Sequence, residues 1–168
     1  MSIIVSRDRN LLYPPFAGEL REFEACLAEA GLPFFLFMGL RTFEDQDELY
    51  AQGRTKPGPI VTNARGGDSW HCYGLASDYI LDGQPERPGI QWSWDLRADF
   101  DADGRNDWLQ MAEIAVSCGL ESGWFWKRFP DAPHVQDRYG LTLAEAKELY
   151  RLGGIKGVWA ELDKLNAA

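Results

Sequence analysis

The chain has 168 residues, 45% of them hydrophobic, and a formal net charge of −9. This length predicts one domain over 1–168, and the composition excludes a disordered tail or a fibrous repeat. The negative charge argues against a nucleic-acid partner, which requires clustered Lys and Arg, and against electrostatic adhesion to an anionic membrane or wall.

Apolar periodicity predicts the helices. Phe16, Leu20, Phe23 and Leu27 recur at steps of four, three and four, which is typical of one buried helix face over 16–30. Shorter patterns predict helices over 44–52 and 108–118, each followed by Gly. Near the C-terminus, Gly153-Gly154 separates two further helical stretches, 142–152 and 156–165.

Short apolar runs predict the strands, over 34–38, 75–81 and 134–136. The stretch 56–69 reads as a loop, and 82–107 as a long irregular insertion that contains Pro85 and Pro88. Because helices and strands mix without strict alternation, we expect an α+β fold with a small antiparallel sheet and packed helices.

The sequence has no apolar stretch that approaches the length of about 20 residues needed to span a membrane. The first 15 residues do not combine a charged start with an apolar core, so we expect no secretory signal and synthesis in the cytoplasm. The three cysteines, Cys26, Cys72 and Cys118, are odd in number and form no CxxC pair, which predicts reduced, mostly buried thiols and no disulfide framework.

The chain has only two histidines, and each has a carboxylate nearby in the sequence. His71, Asp78 and His134 are the ligand types of a catalytic zinc site, which takes three protein ligands and keeps a fourth position for water. Asp131 lies three residues before His134 and could face that water without being a ligand. The alternative is two unrelated histidines, each hydrogen-bonded in a partly buried surface.

Three motifs resemble those of the M15 zinc peptidases. They are Ser69-x-His71-x-x-Gly74-x-Ala76-x-Asp78, then Asp131-x-x-His134, and, earlier in the chain, Arg41-Thr42-x-x-x-Gln46-x-x-Leu49-Tyr50. The family includes D-alanyl-D-alanine carboxypeptidases and dipeptidases, and L-alanyl-D-glutamate endopeptidases found as phage endolysins and bacterial wall enzymes. The Asp131 motif, with Gly119-Leu120-Glu121 and Trp126 upstream, resembles the endopeptidase branch.

The resemblance implies a role for each of these side chains. His71, Asp78 and His134 would bind zinc, Asp131 would act as general base, Arg41 would hold a substrate carboxylate or the developing oxyanion, and Ser69 and Gln46 would orient the peptide. The planar, permanently charged guanidinium of Arg41 suits a carboxylate. For Arg41 the alternative is a surface charge at a helix start.

Asp99-x-Asp101-x-Asp103-Gly104-x-x-Asp107 resembles the first nine positions of an EF-hand calcium loop. The twelfth position is Gln110 instead of the bidentate Glu, so the pattern is incomplete. The alternatives are a calcium site and a solvated acidic turn that caps the helix beginning at Trp108.

We expect a monomeric, zinc-dependent hydrolase that cleaves the L-Ala–D-Glu bond of peptidoglycan stem peptides after release or export from the cytoplasm, as an endolysin does. The alternative activity is that of a D-alanyl-D-alanine carboxypeptidase. The alternative from another class is an inactive module that binds wall peptides.

Overall fold

The computed structural model describes residues 6–83, 89 and 91–167; Pro85 and Pro88 of the predicted insertion lie outside the described residues. In chain order the elements are α1 (Pro14–Glu29), β1 (Phe34–Met38), α2 (Phe43–Ala51), β2 (Ala76–Asp82), β3 (Trp92–Ser93), α3 (Asp107–Ser117), β4 (Glu121–Ser122), β5 (His134–Gln136) and α4 (Leu143–Asn166). Short 3-10 helices occur at Arg9–Leu11, Trp70–Tyr73 and Gly123–Phe125. Within the described ranges, none of the helices combines the length and the apolar character needed to cross a membrane.

The described residues form two compact units. One comprises the described parts of Met1–Tyr13, Gly39–Ala76 and Arg138–Ala168, and the other comprises Pro14–Met38 and the described part of Ser77–Asp137. The prediction of one catalytic domain over 1–168 stays a prediction.

The second unit is built on the sheet. Its strand order is β1-β2-β5-β4, with β3 also paired to β2, and the β1–β2, β2–β3 and β4–β5 pairs are antiparallel. The β1–β2 register is interrupted by a bulge between Leu36 and Met38, and Met38 is the partner of Asp78. A bulge bends a strand and redirects its side chains, so the irregularity lies where β2 presents a carboxylate.

Helices α1 and α3 pack together in this unit and contribute its core. The four α1 residues whose spacing predicted a helix, Phe16, Leu20, Phe23 and Leu27, are all buried. Phe23 meets Tyr79 of β2 edge to face with ring centroids 5.1 Å apart, and Phe34 of β1 meets Trp108 of α3 at 5.0 Å. These buried aromatic contacts link the sheet to the helices.

The first unit has an aromatic centre instead of a sheet. Phe43 of α2 stacks on Tyr150 of α4 at a centroid distance of 4.5 Å, and both rings contact Tyr73 of the 3-10 helix Trp70–Tyr73. The indole N–H of Trp159 donates to the Tyr73 carbonyl at 2.8 Å. Helix α4 therefore anchors the short helix that carries His71.

The α+β class and the small antiparallel sheet are confirmed, and the predicted helices and strands lie within two residues of the observed ones. Gly153 and Gly154, predicted to separate two helices, carry the non-helical backbone inside α4. Strands β3 and β4 have only two residues each, so no apolar alternation marks them in the sequence.

Candidate metal centre

Asp78 and His134, both in the second unit, offer a pair of converging ligand atoms. His134 Nδ1 and Asp78 Oδ1 are 3.4 Å apart. Tetrahedral zinc binds nitrogen and oxygen at about 2.0–2.2 Å, which separates two ligands by about 3.3–3.5 Å. The spacing of this pair therefore fits a zinc ion.

A chain of hydrogen bonds fixes the His134 ring. Its Nε2 lies 2.8 Å from Gln136 Oε1, and Gln136 Nε2 donates to Glu121 Oε2 at 2.9 Å. The carbonyl oxygen of Gln136 requires the proton of a neutral ring to be on Nε2, so the lone pair is on Nδ1, which faces Asp78. Such outer partners set the tautomer and orientation of metal-binding histidines.

Sequence reasoning missed Gln136 and the contact that Glu121 makes. Alternation in a strand places residues two apart on the same face, so Gln136 follows His134 on its own face of β5. A polar residue at that spacing from a candidate ligand is the signal that could have found it.

The electrostatic field around His134 favours a cation. Burial alone would lower the pKa of this ring, but the hydrogen bond and charge of Asp78, followed by the charge of Asp131, outweigh it and leave the pKa raised. The same negative charges favour a metal ion at this position.

His71 is buried in the 3-10 helix Trp70–Tyr73, and its Nδ1 lies 2.7 Å from the Gly39 carbonyl. That acceptor places the ring proton on Nδ1, so Nε2 carries the lone pair. Gly74 ends the short helix at φ +71°, in the left-handed region, and a Cβ there would approach the Leu11 carbonyl oxygen to 3.1 Å. The glycine lets the chain turn from the short helix into β2.

Close backbone packing positions Asp131. Its N–H donates to the Gly123 carbonyl at 2.9 Å, and its own carbonyl accepts from the His134 N–H at 3.2 Å. A Cβ on Gly123 would lie 2.4 Å from the Asp131 carbonyl oxygen, so only glycine permits this approach. The turn thereby couples the predicted base to the predicted ligand.

Arg41 is buried, and Gln46 holds it. Arg41 Nη1 donates to Gln46 Oε1 at 2.7 Å, and Gln46 Nε2 donates to the Ala64 carbonyl at 2.9 Å. Gln46 itself is fully buried. Both ends of its amide are thus engaged within the chain, which favours positioning of Arg41 over the predicted hydrogen bond to a peptide.

Ser69, the other predicted peptide contact, is part-buried and stands at the N-cap of the helix that carries His71. Its side chain makes no capping hydrogen bond there.

The acidic loop brings together three of its four predicted calcium ligands. Asp99, Asp101 and Asp107 have carboxylate oxygens within 4.8 Å of one another. Asp103 is not in this group: its two oxygens accept from the Arg105 N–H at 2.7 Å and from Gln110 Nε2 at 2.8 Å. The carboxylates that lie close enough together to hold a cation are therefore those of Asp99, Asp101 and Asp107.

Asp107 is the unusual member of this group, since its side chain is fully buried. Its Oδ2 accepts from the Phe100 N–H at 2.9 Å, whereas its Oδ1 has no hydrogen-bond partner within the described part of the chain. Burial, and then the charges of Asp101 and Asp99, raise the pKa of this carboxyl above its usual range. A buried acceptor without a partner is costly, and a cation would satisfy it.

Comparison with known proteins finds a family model, a relative and a solved structure that are similar to this chain. A family model described as D-alanyl-D-alanine carboxypeptidase, of the M15 peptidases, matches residues 62–137. The peptidoglycan L-alanyl-D-glutamate endopeptidase CwlK of Bacillus subtilis (strain 168) is 43% identical over 125 residues, which are 74% of this chain and 72% of CwlK. Among solved structures, the L-Ala D-Glu endopeptidase ChiX of Serratia marcescens aligns with a TM-score of 0.49 at 24% identity, over 82% of this chain and 86% of ChiX.

The hydrogen-bond chain behind His134 generates a prediction. In Glu121→Leu the Gln136 amide loses the acceptor that orients it and is able to turn its NH₂ toward His134, which favours the wrong ring tautomer. We expect zinc affinity to fall by about 10–100-fold, the usual effect of losing such a partner. Glu121→Gln retains an acceptor oxygen and is the matched control, expected to bind zinc nearly as the parent chain does.

Zinc affinity is measured by chelator competition, and the His134 tautomer by ¹⁵N chemical shifts of the histidine rings. Circular dichroism checks that each variant is folded. An unchanged zinc affinity and tautomer in folded Glu121→Leu would contradict the orienting role.

Proposed function

This chain belongs to the M15 peptidase family, and from that premise we propose that it is a zinc-dependent peptidoglycan hydrolase that cleaves the L-Ala–D-Glu bond of stem peptides. The observation that carries the proposal is the 3.4 Å separation of His134 Nδ1 and Asp78 Oδ1, a pair of ligand atoms that fits zinc; His71 is the third ligand that we propose. These are the ligand types of a catalytic zinc site.

In the proposed mechanism His71, Asp78 and His134 hold the metal. Zinc bound there would polarise the scissile carbonyl and make a water molecule easier to deprotonate. The hydrogen bonds from His71 to Gly39 and from His134 to Gln136 support this assignment, because they place a lone pair on one nitrogen of each ring.

We assign proton transfer to Asp131. Its carboxylate would accept a proton from the attacking water and return it to the leaving amine, as general acid–base catalysis requires. The turn at Gly123, which joins Asp131 to the His134 backbone, supports a fixed position for this group.

Arg41 would bind a carboxylate of the substrate or the developing oxyanion. Its guanidinium is held from one side by Gln46, so little conformational freedom is lost when it binds. In stem peptides the chain continues through the side-chain carboxyl of D-Glu, so the α-carboxylate next to the L-Ala–D-Glu bond is available to such a group. Ser69 would contribute a hydrogen bond to the peptide.

The choice of bond follows CwlK, whose name states L-alanyl-D-glutamate endopeptidase activity. The matching family model is described as a D-alanyl-D-alanine carboxypeptidase, and this activity is the second candidate. The relative carries more weight, because it aligns over 74% of the chain, whereas the family model matches only residues 62–137. An inactive wall-peptide module is disfavoured, since a binding function alone does not require ligands and base together.

We further propose a monomer that acts on the cell wall after release or export, without membrane insertion or a nucleic-acid partner. The net charge of −9 supports the last point, since nucleic-acid binding requires clustered positive charge.

A calcium ion is proposed for the acidic loop, with Asp99, Asp101 and Asp107 as ligands. The buried Asp107 Oδ1 without a partner in the described part of the chain supports it, because carboxylate oxygens are the ligands that calcium prefers. Gln110, which stands where the EF-hand pattern has Glu, donates a hydrogen bond to Asp103 at 2.8 Å.

The ligand and base roles are separable by metal content. His71→Ala, Asp78→Ala and His134→Ala are each expected to lose most of about one zinc per chain, because three protein ligands are needed. Asp131→Asn is the matched variant: it should retain zinc and lose turnover by about 10²–10⁴-fold. Atomic spectroscopy and a peptidoglycan assay measure the two; stoichiometric zinc in all three alanine variants, or loss of zinc in Asp131→Asn, would overturn the assignment.

Calcium is expected to raise the melting temperature of the parent chain, because a ligand that binds only the folded state stabilises it. Asp101→Asn removes one of the exposed carboxylate charges and should reduce the shift, whereas Glu161→Gln, on α4, should leave it unchanged. Differential scanning fluorimetry at millimolar calcium checks this. If the parent chain shows no shift, the loop is a plain acidic turn.

The bond itself is identified by mass spectrometry of digested stem peptides. We expect a new N-terminal D-glutamate on one fragment and L-Ala retained on the muramyl side, with Asp131→Asn as the inactive control. Release of D-alanine with the L-Ala–D-Glu bond intact would instead establish the carboxypeptidase. Binding of the peptide without any product would establish the inactive module.

A further inference from the structure

Two of the three cysteines lie side by side in the structure. Cys26, in α1, and Cys118, which caps the C-terminus of α3, have their sulfur atoms 3.7 Å apart although 92 positions separate them in the chain. The sequence predicted reduced, mostly buried thiols, and all three cysteines are free, with Cys26 and Cys118 only partly buried. We propose that Cys26 and Cys118 form an intramolecular disulfide on oxidation, which links α1 to the end of α3.

The geometry requires only a small movement. A disulfide bond is about 2.05 Å long, so the two sulfur atoms must approach by about 1.6–1.7 Å. Cys118 lies just beyond the last residue of α3, where the backbone has already left the helix. The next residue, Gly119, has no atom within 4 Å of its Cβ position, so the segment has space in which to adjust.

The pair is also accessible to an oxidant. Cys26 and Cys118 are both of intermediate exposure, whereas Cys72 is buried with 3% of its surface exposed. Burial, and then the hydrogen bond and charge of Cys26, raise the pKa of the Cys118 thiol. Because the thiolate is the reactive form, oxidation is best followed at mildly alkaline pH.

The reaction with a small disulfide such as oxidised glutathione is balanced. One protein thiol loses its proton and attacks a glutathione sulfur, which gives a mixed disulfide and one reduced glutathione. The second thiol then loses its proton and attacks the protein-bound sulfur, and a second glutathione leaves. Two protein thiols are oxidised and one glutathione disulfide is reduced to two thiols.

The link would stabilise the folded chain. It closes a long loop that contains β1, α2, β2, β3 and α3, and closing a long loop restricts the unfolded chain strongly. A disulfide of this kind persists in oxidising surroundings outside the cytoplasm. The inference stands on the packing of α1 and α3 and does not depend on the proposed function.

The experiment treats the reduced, purified full chain with oxidised glutathione at mildly alkaline pH. Free thiols counted after denaturation should fall from the three in the sequence to one. The intact mass should fall by two hydrogen atoms, and a peptide map should join Cys26 to Cys118. The melting temperature should rise by about 5–10 °C and return when dithiothreitol is added.

Three variants make the result specific. Cys72→Ser is the matched control and should still form the link and show the thermal shift. Cys26→Ser and Cys118→Ser should each abolish both. Three thiols remaining in the oxidised parent chain, a bond that involves Cys72, or disulfide-linked dimers in place of the internal link would overturn the proposal.

Discussion

The candidate centre depends on the orientation of one buried ring, that of His134. A neutral imidazole carries one proton, and the Gln136 carbonyl oxygen 2.8 Å from Nε2 takes it. The lone pair on Nδ1 then faces a carboxylate oxygen of Asp78 at 3.4 Å. Two electron-rich atoms in a buried place repel unless a cation lies with them. Either a second proton on the ring or a metal ion supplies that positive charge. The pKa of His134 is raised because the negative charge of Asp78 also favours the second proton.

A single short segment organises the residues around the other histidine. The Gly39 carbonyl accepts from His71, the Arg41 N–H donates to the His71 carbonyl at 3.1 Å, and the Arg41 side chain is held by Gln46. The proposed ligand and the proposed substrate-binding cation therefore share their support. The side-chain oxygen of Gln46 accepts its hydrogen bond from Arg41, so a change at Gln46 acts on the guanidinium first.

The sequence predicted the features that depend on local patterns. The spacing of Phe16, Leu20, Phe23 and Leu27 marked α1, because a helix buries one stripe of its surface. The three motifs identified the family, and the ligand types in them suggested a metal. These signals are carried by residues close together in the chain, where spacing translates directly into geometry.

What the sequence did not reveal depends on distant residues or on side-chain partners. Cys26 and Cys118 lie together because α1 packs on α3, and no local sequence pattern predicts that contact. The engagement of Gln46 and of Asp103 within the chain likewise became visible only with their partners in place. A polar side chain that a motif assigns to a ligand can already be hydrogen-bonded to other residues of the same chain.

The proposed ligand set does not decide which bond is cut. The roles proposed for His71, Asp78, His134 and Asp131 would serve an endopeptidase and a carboxypeptidase equally, because both reactions attack an amide with water. Arg41 does not separate them, since a terminal D-Ala carboxylate and the α-carboxylate of D-Glu both fit a guanidinium. The difference is whether the substrate continues beyond the cleaved bond on both sides. An endopeptidase must leave room for that continuation, and a carboxypeptidase must close it, so specificity lies in the shape around the centre and not in the motifs that define the family.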